Sequence, residues 1–253
     1  MSTQINDHIH LEVAGENALM LYFVDESRSS SIIKADKVTD DISSNVQHAA
    51  KLIRQHLSAD IIDLIPSYAS ILVMFNLLET DHHHLRNKLK KLLRQCGGTK
   101  NKQGRLIELP VYYSLTSGMD LERIAKHAKL TVEQVIALHQ NHEYRVYAIG
   151  FAPGFAYLGE VEQRIATPRL ATPRLKVPKG AVAIADRQTA VYPAQSPGGW
   201  NIIGLCPTDM FNAQAMPTMP VEVGDRVRFV GIDKQEYLDL GGVLSNLVND
   251  SED

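Results

Sequence analysis

The spacing of apolar residues divides the first hundred positions into helices and strands. Apolar side chains recur every three to four residues over 43–56 and over 81–95, which predicts two amphipathic helices. Short apolar runs over 18–24, 61–65 and 70–76 predict strands. The order strand, helix, strand, strand, helix predicts a small α+β domain with an antiparallel sheet.

A polar, glycine-rich run, CGGTKNKQGR, follows the second predicted helix. Such a composition is typical of a connection between domains. We therefore predict an N-terminal α+β domain over residues 1–96, a linker over 97–105 and a second domain over 106–253.

The second domain begins with a predicted strand over 106–113 and two short helices. Asp120 is placed to cap the first helix, and Thr131 with Gln134 forms a capping-box pattern for the second. From Tyr144 onward the segments are short, β-branched or aromatic, and separated by proline and glycine: YRVYAIGF, AVAIA, TAVYP, GWNIIGLC and DRVRFV. This series predicts an antiparallel sheet or a barrel.

Composition narrows the class of protein. The formal net charge is −3, which argues against a dedicated nucleic-acid-binding protein. Two widely separated cysteines indicate a reducing compartment, and we find neither a secretory signal nor a run long enough to span a membrane. We expect a cytoplasmic protein without a metal site, a nucleic-acid partner or a membrane.

The run GFAPGFAYLG at 150–159 has the glycines of a phosphate-binding loop but lacks the lysine, and it carries bulky aromatic rings. A second proline- and glycine-rich run, YPAQSPGGW, spans 192–200 and contains the only tryptophan. Each run alone is consistent with an ordinary turn. Together they favour a rigid, aromatic pocket wall, with Ser196 and its neighbouring amides as candidate oxyanion ligands.

A tandem repeat, ATPRLATPRL, stands at 166–175 and leads into Lys176 and Lys179. Prolines exclude a helix interior here. Four cations within eleven residues of an acidic protein suggest an anion-binding site. The alternative is a solvent-exposed edge strand whose charges prevent pairing with another chain.

These motifs, in this order, resemble the family of the B-type subunit of 5-oxoprolinase, also called the allophanate hydrolase subunit 1 family. The matching series is GFAPGFAYL, then PRLATPRLKVPKG, then QTAVYPAQSPGGW, then a late GDRVRF. The resemblance implies a mainly β, cyclophilin-like barrel as the second domain. It also implies a hydrolase that uses ATP, with magnesium, to cleave 5-oxo-L-proline to L-glutamate.

The resemblance implies partners and site residues as well. The partners would be a homologous second subunit of the C type and a third subunit of the A type, and the ATP site would be shared with a partner or lie within one. The expected catalytic residues are Arg174, Lys179 and Ser196. The expected substrate-binding residues are Gly154, Phe155, Tyr157, Arg169, Lys176, Gln188, Tyr192, Gly198, Gly199 and Trp200.

Two alternatives stay open, because the family contains other functions on the same fold. One is a non-catalytic regulator that binds and inhibits a sensor histidine kinase. The other is a subunit that processes allophanate or a urea-derived carboxylate.

Overall fold

The computed structural model describes residues 2–24, 40–96 and 104–244. The chain divides into two compact units, Met1–Gln103 and Gly104–Asp253. Most of the linker predicted at 97–105 lies outside the described residues.

The first unit is an antiparallel sheet with two helices. Its elements are β1 (Thr3–Asn6), β2 (Ile9–Gly15), β3 (Ala18–Phe23), α1 (Asp40–His56), β4 (Ile61–Pro66), β5 (Ser70–Phe75) and α2 (His82–Leu93). The strand order is β1-β2-β3-β5-β4. The predicted α+β domain is confirmed, whereas strands β1 and β2 were not predicted.

The core of this unit follows from its sequence periodicities. Strand β5 alternates half-buried and buried residues, since neighbouring side chains of a strand point to opposite faces. Helix α2 buries Leu85, Leu89 and Leu93, at the three-to-four-residue spacing of one helix face. The Asp81 side chain caps this helix by accepting a hydrogen bond from the amide of His84.

The second unit contains a closed barrel of seven strands and a separate sheet of two strands. Its strands are β6 (Leu106–Tyr112), β7 (Glu143–Ile149), β8 (Ala156–Gly159), β9 (Arg174–Val177), β10 (Ala181–Ala185), β11 (Gln188–Val191), β12 (Ser196–Gly198), β13 (Asn201–Leu205) and β14 (Arg226–Ile232). Its helices are α3 (Leu121–Ala128), α4 (Val132–Gln140) and α5 (Lys234–Asp239), with a 3-10 turn at Gln163–Ile165.

Around the barrel the strand order is β10-β11-β8-β7-β14-β6-β13. The sheet is mixed, because β14 runs parallel to β6 while its other pairings are antiparallel. Strands β9 and β12 form a separate two-stranded sheet. The predicted mainly β, cyclophilin-like barrel is confirmed.

A hydrogen-bonded histidine lies inside the barrel. The His139 ring is fully buried and stacks on Phe229, with ring centroids 4.6 Å apart. Thr189 donates its hydroxyl proton to the Ala183 carbonyl, so it accepts a hydrogen bond from His139 Nε2. His139 Nδ1 then accepts from the Tyr113 hydroxyl at 2.8 Å. Burial lowers the pKa of His139 to about 3, so the ring is neutral at physiological pH.

Candidate functional site

Five aromatic rings gather in the second unit. We call Phe151, Phe155, Tyr157, Tyr192 and Trp200 the aromatic cluster. The Phe155 ring is central: its centroid lies 4.9 Å from Tyr157, 5.3 Å from Tyr192 and 5.6 Å from Trp200, all edge to face. Phe155, Tyr192 and Trp200 are buried, whereas Phe151 is 70% exposed. The cluster therefore has a buried base and an open outer edge.

The turn between β7 and β8 sets the position of Phe155. Phe151 has φ +72° and Gly154 has φ +83°, and the amide of Gly150 donates to the carbonyl of Phe155. A Cβ at Gly154 would lie 2.5 Å from the carbonyl oxygen of Met210. Glycine is required there by both the backbone angle and the close approach. The run GFAPGFAYLG is thus a tight turn that directs Phe155 into the cluster.

The arginine repeat lies beside the SPGGW run. In the two-stranded sheet Ser196 pairs with Val177 and Gly198 with Arg174. The Leu170 amide also donates to the Gly199 carbonyl at 2.7 Å. Pairing of β9 with β12 therefore brings together predicted site residues that are far apart in the sequence, namely Arg169, Arg174, Lys176, Tyr192, Ser196, Gly198, Gly199 and Trp200.

Arg169 lies over one ring of the aromatic cluster. Its guanidinium carbon lies 5.7 Å from the centroid of the Trp200 ring, and the residue is exposed. This is a cation–π contact that leaves the guanidinium open to solvent. Arg169 thus lies over Trp200 with its charge available to bind an anion.

Tyr192 presents a protonated hydroxyl beside the same residues. Burial raises its pKa to about 12, although the nearby guanidinium of Arg169 opposes that shift. The hydroxyl is tightly enclosed, since a Cβ at Gly198 would lie 2.4 Å from its oxygen. Tyr192 is therefore a hydrogen-bond donor near neutral pH and not a general base.

Arg174 is held by a buried carboxylate. Its two terminal nitrogens donate to the two oxygens of Asp120, each at 2.9 Å, and Asp120 Oδ2 also accepts from the Ile202 amide at 2.7 Å. The Asp120 side chain is 6% exposed and that of Arg174 is 27% exposed. This bidentate pair ties β9 to β13 and gives Arg174 a structural role. Its catalytic role stays a prediction.

The interpretation of Asp120 as a helix cap is wrong. Asp120 occupies the N-cap position of α3, but its side chain makes no capping hydrogen bond. Its carboxylate instead binds Arg174, because a guanidinium is a stronger partner for a buried anion than a backbone amide. The capping box of Thr131 and Gln134 at the start of α4 is confirmed.

Two further polar residues fix the loop that carries Arg169, and the sequence motifs did not reveal them. Asn201 Nδ2 donates to the carbonyls of Pro168 and Ile184, at 3.1 and 2.9 Å. Arg123 donates to the Asn201 side-chain oxygen and to the Pro168 carbonyl. Asn201 directly follows the SPGGW run, and this position in the sequence could have marked it as a candidate. Arg123 has no such signal, because it belongs to the solvent side of a helix.

Lys179, Lys176 and Gln188 were also predicted as site residues. Lys179 forms an exposed ion pair with Asp209, with 2.6 Å between Nζ and Oδ1. Lys176 is exposed on β9. Gln188 begins β11 opposite Gly159, and Tyr192 follows that strand. Gly159 is two residues from Tyr157 along β8, and the role of Gln188 in substrate binding stays a prediction.

The two cysteines, Cys96 and Cys206, are free and buried, and burial raises the pKa of both thiols. Among the described residues, no three histidine, cysteine, aspartate or glutamate side chains gather into a metal-binding group. In the same part of the chain, no helix is both long enough and apolar enough to cross a membrane.

Comparison with known proteins agrees with the motifs. Residues 10–221 match the family model of the carboxyltransferase domain, subdomain C and D. The chain is 34% identical over 237 residues to the B-type subunit of 5-oxoprolinase from Bacillus subtilis, which covers 90% of this chain and 94% of the relative. It is 42% identical over 129 residues to the B-type subunit from Haemophilus influenzae, which covers 51% of this chain and 60% of the relative.

A solved structure shows the same fold within a longer chain. The crystal structure of TTHA0988 superposes with a TM-score of 0.72 at 31% identity, over 85% of this chain and 40% of that one. The chain therefore belongs to the carboxyltransferase subdomain C and D family, together with the B-type subunits of 5-oxoprolinase.

Proposed function

We propose that this chain is a subunit of an ATP-dependent 5-oxoprolinase that cleaves 5-oxo-L-proline to L-glutamate. The observation that carries this proposal is the identity of 34% to a B-type 5-oxoprolinase subunit over nearly the full length of both chains. The proposed partners are a homologous subunit of the C type and a subunit of the A type. We place the reaction in the cytoplasm, which supplies ATP and suits the free cysteines.

The chemistry requires activation of a stable amide. Transfer of the γ-phosphoryl group of ATP to the lactam oxygen releases ADP and converts that oxygen into a leaving group. Water then adds to the same carbon and the ring C–N bond breaks, which leaves an acyl phosphate. A second water molecule hydrolyses that acyl phosphate to glutamate and inorganic phosphate. Negative charge develops on oxygen during the reaction. Cations and hydrogen-bond donors directed at that oxygen therefore accelerate it.

The region around Arg169 suits such a substrate. The exposed Arg169 guanidinium would pair with the substrate carboxylate, while the buried Trp200 and Phe155 rings would support the site from beneath. Tyr192 is protonated because burial raises its pKa to about 12, and its enclosed ring would form part of the neutral base beneath the site. Arg174 is held close by through Asp120, and Ser196 lies on the neighbouring strand.

ATP and magnesium remain part of the proposal. The segment from Arg169 to Lys179 has the charge to attract phosphate groups. Magnesium prefers oxygen ligands and retains water, so its remaining ligands would come from the nucleotide or from a partner protein. We therefore place the ATP site at, or within, a partner.

Reconstitution tests the proposal. The chain is co-expressed with its C-type and A-type companions, the complex is purified, and glutamate formed from 5-oxoproline and ATP is measured. We expect turnover by the complex and a loss of about 100-fold in kcat/KM for Arg169→Ala, the cost of removing one charge-assisted contact to the substrate. Arg164→Ala is the matched control, since Arg164 is an exposed arginine that pairs with Glu162.

Each outcome has a separate meaning. An assembled complex without turnover would contradict the 5-oxoprolinase proposal. Turnover that Arg169→Ala and Arg164→Ala leave equal would retain the activity and contradict the role of Arg169. The kinase-regulator and urea-derived alternatives stay predictions, and allophanate in place of 5-oxoproline in the same assay separates the latter.

A further inference from the structure

A basic groove lies in the first unit, apart from the aromatic cluster. It has a volume of about 820 Å³ and is lined by Gln4, Ile5, Asn6 and Asp7 on one side and by Asn87, Lys90, Lys91 and Arg94 on the other. The first set belongs to β1 and the turn after it, and the second set to α2 and its end. We call it the β1–α2 groove.

One wall of the groove is a strand edge that is unpaired among the described residues. Strand β1 is the last strand of its sheet, and within the described part of the chain it pairs only with β2. An edge strand presents backbone N–H and C=O groups that can pair with another extended chain. Asn6 fixes this edge against α2, because its side-chain amide donates to the carbonyls of Leu93 and Cys96 at 3.0 and 2.8 Å.

The other wall is cationic. Positions 87, 90, 91 and 94 share one face of α2 by their spacing. Lys90, Lys91 and Arg94 are exposed, and none of them forms an ion pair with the residues that the structure describes. Their neighbour Lys88 differs, since it binds Asp60 at 2.8 Å. With Asp7 as the only carboxylate of the lining, the groove carries an excess of positive charge.

We propose that the β1–α2 groove binds an extended acidic peptide segment of another protein, which adds to β1 as a strand. Backbone hydrogen bonds to β1 would supply affinity, and carboxylates facing α2 would supply specificity. A strand of four residues spans about 13 Å, which sets the length of the segment that β1 can pair. This inference concerns a surface outside the proposed reaction site and does not depend on that reaction.

Two other occupants fit less well. A second copy of this chain, paired through its own β1, would bring two sets of Lys90, Lys91 and Arg94 towards each other, and like charges oppose that arrangement. Single-stranded nucleic acid binds on aromatic side chains as well as cations, and no aromatic residue lines this groove.

A labelled peptide tests the proposal on the full chain. The probe is a fluorescein-labelled peptide that alternates glutamate and valine over seven residues, measured by fluorescence anisotropy at low ionic strength. We expect the Lys90→Glu/Lys91→Glu double variant to weaken binding at least about tenfold, because it reverses the charge of one wall. The matched control is Lys51→Glu/Lys126→Glu, which changes two exposed lysines outside the groove by the same net charge.

A proline-containing peptide tests whether the probe pairs with β1 as a strand. Proline in place of the central valine removes an N–H donor, and we expect it to abolish the shifts of the Thr3–Asn6 amide signals in NMR spectra. Equal binding by the groove variant and the control variant would overturn the proposal. So would unchanged binding of the proline peptide, tighter binding of an oligothymidylate of equal charge, or self-association through β1 that the peptide displaces.

Discussion

Buried polar groups form hydrogen bonds both in the interior of the barrel, around His139, and at its rim, by which we mean Asp120, Arg174 and strand β12. The two regions differ in the kind of partner. Around His139 the partners are neutral, and each donor finds one acceptor. Around Asp120 the partners are charged, and one carboxylate holds a guanidinium and a backbone amide together. The interior network therefore stabilises the barrel alone, whereas the rim network also shapes the loops that present Arg169.

The rim should be the more sensitive region to a single substitution. Asp120→Ala leaves the Arg174 guanidinium without its partner and the Ile202 amide without its acceptor, so we expect the free energy of unfolding to fall by about 2–4 kcal/mol. Urea denaturation measures this loss. Glu122→Ala, an exposed carboxylate of the same helix, is the control, and an equally small loss for both variants would contradict the role of the ion pair.

The interior should respond to pH instead. Below pH 6.5 the unfolded chain takes up a proton on His139, whereas the folded chain stays neutral there down to about pH 3. Acid therefore favours unfolding, and this residue should lower the free energy of unfolding by about 1.4 kcal/mol per pH unit between pH 6 and pH 4.

Replacement of the interior histidine tests that slope. We compare His139→Gln with His127→Gln, an exposed histidine of α3, by urea denaturation over the same pH range. Only His139→Gln should flatten the pH dependence relative to the unsubstituted protein. An unchanged slope would show that His139 already titrates normally in the folded chain.

A methyl group at the rim should disturb the aromatic cluster with a smaller loss of stability. The Cβ of Gly198→Ala would lie 2.4 Å from the Tyr192 hydroxyl oxygen, so the ring or the strand must move. We expect a loss of about 1–2 kcal/mol and a change in the fluorescence of Trp200, the only tryptophan. Gly199→Ala is the control, because its nearest new contact is an ordinary 3.5 Å, and identical spectra for both variants would exclude the predicted clash.

The exposed ion pair of Lys179 should matter least for stability. Both side chains of the Lys179–Asp209 pair are more than half exposed, so Lys179→Ala should cost no more than about 0.5 kcal/mol. A melting temperature lowered as much as by Arg174→Ala would contradict this. Lower turnover of the reconstituted complex at unchanged stability would support the predicted catalytic role of Lys179.

Elements with a strong periodicity of apolar residues could be predicted from the local sequence alone. The amphipathic spacing of α2, the capping box of α4 and the β-branched runs of the barrel all depend on neighbours in the sequence, and all were predicted. Strand β1 was missed because its four residues, TQIN, are mostly polar, whereas β2 carries a strand signal that was not used, since IHLEV alternates apolar and polar residues. The parallel pairing of β14 with β6 joins segments about 120 residues apart, for which no local signal exists.

For the site, the sequence alone determined the family, through four ordered motifs, and with it the residue types available for chemistry. Only the tertiary structure decided their partners. It paired β9 with β12, placed Arg169 over Trp200, set Gln188 opposite Gly159, and paired Arg174 with Asp120. The physical reason is that a charged side chain binds whichever opposite charge the fold brings within reach, and strand pairing sets that distance independently of separation along the chain.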